Sequence, residues 1–105
     1  MDAKIVNEKD VEKVQTSQGM TKFLVQNPAK EGPNVMIRYW GDKTDLPIHA
    51  HDANELFYIL EGEVVVDGTT YGPGTALFIP KGVPYGPIKV PSGTAALLRY
   101  YETEE

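Results

Sequence analysis

Residues 41–62 of the 105-residue chain have the sequence GDKTDLPIHAHDANELFYILEG, and this stretch carries most of the information about the fold. It contains both histidines of the chain, His49 and His51, and Glu55 follows four residues later. Residues i and i+2 of a strand point to the same face, so both imidazoles can converge on one point. Two neutral imidazoles and one carboxylate form a facial triad for a divalent metal ion and leave coordination positions open for substrate or oxygen. The alternative is two surface histidines in a loop. Two scattered histidines would show this spacing roughly one time in fifty, so the spacing alone only suggests a metal site.

The sequence on both sides of this stretch alternates short apolar runs with turn residues. The runs cover residues 23–25, 35–37, 56–60, 64–66, 76–79 and 95–98. Ten glycines and eight prolines lie almost all between the runs, which is the spacing of antiparallel strands in a sandwich or barrel. Asp67-Gly68 predicts a tight hairpin, because a type I′ turn needs positive φ. A helix is expected only within the first twenty residues, so we predict an all-β fold of antiparallel strands.

Two spaced motifs, in residues 41–62 and 74–85, resemble the two conserved motifs of the cupin superfamily. The first family motif is a glycine, His-x-His, three or four residues, Glu, six residues and Gly. It matches residues 41–62, with seven residues between Gly41 and His49 where five is usual. The second motif is Gly, five residues, Pro-x-Gly, two residues and His. It matches residues 74–85, except that Tyr85 stands in place of the final histidine.

The resemblance implies a single cupin domain over residues 1–105, folded as a jelly-roll β-barrel. It also implies that His49, His51 and Glu55 bind a divalent metal ion such as iron, zinc, manganese or nickel. Cupins with these ligands include dioxygenases, isomerases, lyases and cyclases, and the motifs do not separate these classes. We therefore expect a metal-dependent enzyme that acts on a small organic substrate. The alternative is a non-catalytic module that binds a small molecule, with the metal as its anchor.

Tyr85 is the position at which the sequence departs from the family, whose members usually have a fourth, histidine ligand there. It is a candidate metal ligand as phenolate, because the charge of the ion would lower its pKa. It is also a candidate catalytic residue, as a hydrogen-bond donor or general acid/base toward the substrate. Its third possible role is packing alone, beside the turn at Gly86-Pro87. The motif places Tyr85 at the site, and all three roles stay open.

Alternation along the strand that begins at Glu55 predicts which side chains are buried. If Glu55 points inward, Phe57 and Ile59 do so too and form an apolar wall beside the metal. The outward row is then also apolar and consists of Leu56, Tyr58 and Leu60. An apolar row is unexpected on a solvated sheet face, so we expect a second subunit to cover it, in a homodimer.

Three basic residues lie on or beside predicted strands: Arg38, Lys89 and Arg99. Each could anchor a substrate carboxylate if its side chain entered the barrel. Such side chains more often point outward and keep the surface soluble. The glycines of the motifs, in contrast, are expected to serve turns rather than ligands; they are Gly62, Gly74 and Gly82.

Composition excludes several other classes of protein. The net charge of −5 argues against nucleic acid or an anionic membrane as the main partner, because both need basic patches. The absence of cysteine excludes disulfides and thiolate metal sites. No apolar run approaches the length of a membrane span, and the first residues contain no apolar signal segment. We therefore expect a cytoplasmic protein whose partner is a small molecule.

Overall fold

The computed structural model describes residues 3–27 and 33–102, and they form the antiparallel all-β fold that the sequence predicts. A short 3₁₀ turn at Glu8–Asp10 precedes the strands. The described residues form β1 (Val14–Thr16), β2 (Gly19–Val25), β3 (Asn34–Gly41), β4 (Asp45–Leu46), β5 (Glu55–Glu61), β6 (Val64–Val66), β7 (Thr69–Tyr71), β8 (Ala76–Ile79), β9 (Ile88–Lys89) and β10 (Thr94–Tyr101). Within these ranges, no segment forms a helix with the length and hydrophobicity that a membrane crossing requires.

The strands form two sheets, and every pair of neighbours is antiparallel. One sheet has six strands in the order β1-β2-β3-β10-β5-β8, and the other has four in the order β4-β9-β6-β7. The last strand, β10, lies between β3 and β5, with Arg99 opposite Met36 on one side and opposite Phe57 on the other. This crossover gives the jelly-roll arrangement, and it brings residues far apart in sequence onto one sheet face.

Each apolar run of the sequence lies within a strand, and the predicted hairpin is confirmed. β6 and β7 pair with Val66 opposite Thr69, and the two turn residues Asp67 and Gly68 have φ values of 49° and 81°. The apolar pattern did not predict β1, β4 or β9. These strands have only two or three residues each and contain polar side chains, so they carry no clear alternation.

The core lies between the two sheets and contains side chains from both. Trp40, Phe57 and Leu97 enter it from the six-stranded sheet, and Val64 and Ile88 enter it from the four-stranded sheet. The rings of Trp40 and Phe57 pack at a centroid distance of 5.5 Å. Each of these five side chains is at most 6% exposed, so the core is closed to water.

The predicted alternation along β5 is confirmed. Glu55, Phe57 and Ile59 are buried, whereas Tyr58 and Leu60 are 41% and 40% exposed and Leu56 is half-buried. Glu55, the first residue of β5, therefore directs its carboxylate toward the core. This placement decides where the candidate site lies.

Gly62, which follows β5, serves a turn as predicted. Its φ is +78°, and a Cβ at this position would lie 2.5 Å from the backbone oxygen of Thr94. A side chain is therefore excluded both by the backbone conformation and by the close approach of β10. Gly74 and Gly82 also have positive φ, at 88° and 78°.

Candidate functional site

Backbone hydrogen bonds hold the two sequence motifs together at one end of the core. His49 N–H donates to Tyr85 O at 3.1 Å, and Tyr85 N–H donates to His49 O at 2.9 Å, which makes an isolated antiparallel bridge. Gly82 N–H donates to His51 O at 2.8 Å. The Asn54 side chain accepts a hydrogen bond from the backbone N–H of Lys81 at 2.8 Å. The histidine segment is thus fixed to the loop of the second motif.

All four residues that the sequence identifies as site residues line one pocket of about 230 Å³. They are His49, His51, Glu55 and Tyr85. Two of the three basic candidates, Arg38 and Arg99, also line it, whereas Lys89 is exposed and lies outside it. The apolar walls are formed by Trp40, Leu46, Pro47 and Phe57. The pocket therefore combines apolar walls with a few convergent polar groups, as ligand sites usually do.

The two imidazoles lie side by side in this pocket. The ring centroids of His49 and His51 are 4.8 Å apart, and the ring of Tyr85 lies 4.5 Å from that of His49. Nδ1 of His49 is 2.8 Å from Pro47 O. Because a carbonyl oxygen only accepts, Nδ1 carries the hydrogen of this bond, and in the neutral ring Nε2 keeps its lone pair. Metal-binding histidines commonly have this hydrogen bond from the other ring nitrogen to a carbonyl.

Glu55 is 1% exposed, and both of its carboxylate oxygens have partners. Oε1 accepts a hydrogen bond from the Tyr85 hydroxyl at 2.6 Å. Oε2 accepts a hydrogen bond from Arg99 Nε at 2.5 Å and forms an ion pair with Arg99 Nη2. Nε2 of His51 lies 4.0 Å from Oε1. The buried negative charge is therefore compensated by one guanidinium and one phenol.

The Tyr85 hydroxyl is a hydrogen-bond donor inside the pocket. Burial raises the pKa of this phenol well above its usual value, and the hydrogen bond to Glu55 and the charge of that carboxylate raise it further. The hydroxyl therefore stays protonated and donates to Glu55. Packing alone does not account for this bond, although the ring also packs against the core.

The donor chemistry fits a divalent metal ion, but the side chains do not stand as a completed site. Two imidazoles and a carboxylate line the same pocket, and the tautomer of His49 leaves Nε2 available. In residues 3–27 and 33–102, however, no group of three or more His, Cys, Asp or Glu side chains is placed to hold one ion. The oxygens of Glu55 are bonded to Tyr85 and Arg99, and Oε1 lies 4.0 Å from His51 Nε2. These contacts distinguish the arrangement from that of a completed metal site. The metal site remains a prediction.

Sequence reasoning missed the two partners of the carboxylate as well as one further residue that lines the pocket. The sequence offers Arg99 only as an anchor for a substrate, because the register that sets Arg99 opposite Phe57, and so on the face of Glu55, comes from the strand order. The bond from Tyr85 to Glu55 has no sequence signal beyond the motif. Gln18 lies in the turn between β1, which was not predicted, and β2, whose apolar run begins only at Phe23.

Comparison with known proteins agrees with the fold. The family model described as "Cupin domain" matches residues 35–99. No curated protein matches the sequence significantly. An RmlC-like cupin from Shewanella frigidimarina NCIMB 400 has a TM-score of 0.78 and 20% identity, and the match covers 99% of this chain and 94% of that one.

Two further solved structures show how widely this fold is used. The polyketide cyclase RemF from Streptomyces resistomycificus has a TM-score of 0.76 at 24% identity, over 95% of this chain and 79% of that one. A predicted oxalate decarboxylase from Thermotoga maritima has a TM-score of 0.73 at 17% identity, over 94% and 98%. At these identities the similarity shows the fold and not the activity.

The pairing of Arg99 with Glu55 predicts an asymmetric mutational response. Arg99→Met leaves a carboxylate buried without its cation, and we expect the free energy of unfolding to fall by about 3–5 kcal/mol. The double variant Arg99→Met/Glu55→Gln removes that charge and should be more stable than the single variant. Urea denaturation measures both values. The control Lys22→Met breaks an exposed ion pair with Glu8 and should have a far smaller effect. A double variant no more stable than Arg99→Met would contradict this description of the site.

Proposed function

We propose, from the premise that this chain belongs to the cupin family, that it is a metal-dependent enzyme acting on a small organic substrate. The observation that carries the proposal is the convergence of both family motifs on one pocket. His49, His51 and Glu55 come from the first motif, Tyr85 comes from the second, and all four line the same cavity. A non-catalytic module that anchors its ligand through the metal would need the same three ligands, and the Tyr85 hydroxyl donor beside them favours the enzyme.

His49, His51 and Glu55 are the residues that would hold the ion. Once bound, a divalent ion would supply Lewis-acid polarisation of a carbonyl, or oxygen chemistry if it is iron. The hydrogen bond from His49 Nδ1 to Pro47 O orients the ring and directs Nε2 to the role of ligand. Arg99 orients the carboxylate of Glu55 through its hydrogen bond to Oε2. Such outer partners commonly fix the position and basicity of metal ligands.

Tyr85 positions Glu55 and keeps a proton beside it. Its hydroxyl lies 2.6 Å from Oε1, and its location in the pocket lets the same hydroxyl face a bound substrate. A protonated phenol is a hydrogen-bond donor and a possible general acid. Because the hydroxyl is bonded to Oε1 of Glu55, we assign Tyr85 to orientation of that carboxylate and to proton donation, and not to coordination of the ion.

The fold alone does not identify the reaction. Proteins described as a polyketide cyclase and as a predicted oxalate decarboxylase share it at less than 25% identity. The size of the pocket, about 230 Å³, restricts the substrate to a small molecule. The apolar walls of Trp40, Phe57 and Leu46 favour a substrate with a hydrocarbon part.

The metal assignment predicts that the two histidines together are required for stoichiometric metal. Chain purified without tag histidines, treated with chelator and then titrated with Zn²⁺ should bind one equivalent. His49→Ala/His51→Ala should bind none, because it removes both nitrogen ligands. Isothermal titration measures the stoichiometry, with Lys89→Met as a variant outside the pocket that should behave as the parent chain. A double histidine variant that retains a full equivalent would exclude this site.

The assignment of Tyr85 predicts that Tyr85→Phe keeps the metal stoichiometry and lowers the free energy of unfolding by about 1.5–3 kcal/mol, because a buried carboxylate loses a hydrogen bond. The iron(III) form of the parent chain should show no phenolate charge-transfer band in its visible spectrum. Tyr71→Phe is the matched control, since Tyr71 is 37% exposed and lies outside the pocket. A strong visible band that disappears in Tyr85→Phe would make Tyr85 a ligand instead.

We also propose that a second copy of the chain covers the outer face of the six-stranded sheet. The outward row of β5 is apolar as predicted, and Phe78, opposite Leu56 on the neighbouring strand, is 63% exposed. β8 is the last strand of that sheet, so its outer edge is unpaired among the described strands. An apolar patch beside an open strand edge favours association between identical chains.

Light scattering at micromolar concentration should then give twice the monomer mass of 11.6 kDa. Phe78→Glu should shift the chain toward monomer, because it places a charge in the apolar contact. Val14→Glu changes a residue that is 49% exposed on β1, at the other end of the sheet, and should leave the dimer intact. A parent chain that scatters as a monomer would rule out this assembly.

A further inference from the structure

Arg38 is a buried cation whose hydrogen-bond partners are all neutral. It lies on β3 and is 7% exposed. Nη1 donates to Thr21 Oγ1 at 2.7 Å and to Thr16 Oγ1 at 3.4 Å, and Nη2 donates to Gln18 Oε1 at 2.6 Å. No carboxylate lies within ion-pair distance of Arg38 in the part of the chain that the structure describes. A buried charge without a counterion among the described residues is costly, so its presence here points to a partner that these residues do not supply.

The guanidinium has two of its five N–H donors left for such a partner, Nε–H and the second hydrogen of Nη2. Nε–H of Arg38 donates no hydrogen bond to any described residue. No described side-chain nitrogen or oxygen is both buried and without a partner, so this donor reaches open space. Arg38 lines the candidate pocket and a second cavity that shares residues with it.

The charges around this pocket leave one positive charge uncompensated. Arg99 is paired with Glu55, which is the one carboxylate among the lining residues, and Arg38 remains. Burial lowers the pKa of Arg38 and the nearby charge of Arg99 lowers it further, whereas the smaller effects of Tyr101 and Glu55 raise it. The chain as a whole carries a net charge of −5, so this excess of positive charge is local to the pocket.

The space beside Arg38 extends from the apolar walls to a polar end. A second cavity of about 240 Å³ shares Gln18, Arg38, His51, Glu55 and Arg99 with the first. Trp40 and Phe57 line the first of these two cavities and not the second, and Ala53 and Tyr101 line the second and not the first. A molecule with an anionic group at Arg38 can therefore place a hydrocarbon part against Trp40 and a reactive centre near the histidines.

We propose that the pocket takes small organic molecules with a single carboxylate, and that Arg38 anchors that carboxylate. This inference rests on the proposed function, because it names the substrate class of the same pocket. A guanidinium matches a carboxylate in both charge and planar geometry. In the metal-free pocket the one uncompensated positive charge matches one carboxylate, and the apolar walls match an aliphatic or aromatic remainder.

The chain contains a single tryptophan, and it lines the pocket, so its fluorescence reports binding without any activity assay. Chelator-treated chain at pH 7 is titrated with hexanoate and, separately, with hexanamide, which has the same length and no charge. Hexanoate should shift the Trp40 emission saturably, with an affinity at least tenfold higher than that of hexanamide. Arg38→Met should lose that tenfold preference, and Lys89→Met, which removes an exposed positive charge outside the pocket, should keep it.

Equal affinities for acid and amide, or no binding of hexanoate at all, would overturn the inference. An unchanged preference in Arg38→Met would overturn the role of Arg38. If Arg38→Met does not fold, hexanoate and hexanamide are compared in the parent chain and in Arg38→Lys, which keeps the charge. Both chains should prefer hexanoate, and a parent chain without this preference would overturn the inference. Because the experiment uses metal-free chain and measures no turnover, its failure is distinct from a failure of the proposed metal chemistry.

Discussion

The arrangement of this site depends on one buried negative charge, the carboxylate of Glu55. A carboxylate that is 1% exposed is stable only if its charge is matched and its oxygens are hydrogen-bonded. Arg99 matches the charge, and Tyr85 donates to the second oxygen. Arg99 reaches Glu55 because β10 lies beside β5, and Tyr85 reaches it because the backbone bridge to His49 holds the two motif segments together. The ion pair with Arg99 therefore requires the strand order, and the hydrogen bond from Tyr85 requires the backbone bridge.

The same ion pair determines what the rest of the pocket can do. Because Arg99 is committed to Glu55, the positive charge of Arg38 is left for a ligand. The hydrogen bond from Tyr85 fixes Oε1, which is the carboxylate oxygen that lies 4.0 Å from Nε2 of His51. A metal ion would have to join the imidazoles and this carboxylate without removing the partners that make its burial possible. Carboxylate oxygens accept more than one partner each, so coordination and these hydrogen bonds are compatible.

Local physics made much of this predictable from the sequence. A period of two along β5 separates Glu55, Phe57 and Ile59 from the exposed Tyr58 and Leu60, because alternate residues of a strand face opposite sides. Asp67-Gly68 specifies its hairpin through positive φ. The partner of Glu55 was not predictable in this way, because the register of β10 depends on a crossover that no local pattern encodes. The same reason separates Arg38, which enters the pocket, from Lys89, which does not: both lie on strands, and only the packing of the two sheets distinguishes them.

The central claim is that both motifs form one metal-binding pocket around Glu55. Anomalous diffraction from crystals of tag-free chain grown with Co²⁺ tests it most directly. We expect a single strong peak in the pocket, within about 2.0–2.2 Å of nitrogen atoms of His49 and His51 and an oxygen of Glu55. Arg99 and Tyr85 should still contact the carboxylate. A pocket without an anomalous peak, in crystals whose histidines are accessible to the ion, would contradict the claim, and so would a peak that Glu55 does not coordinate.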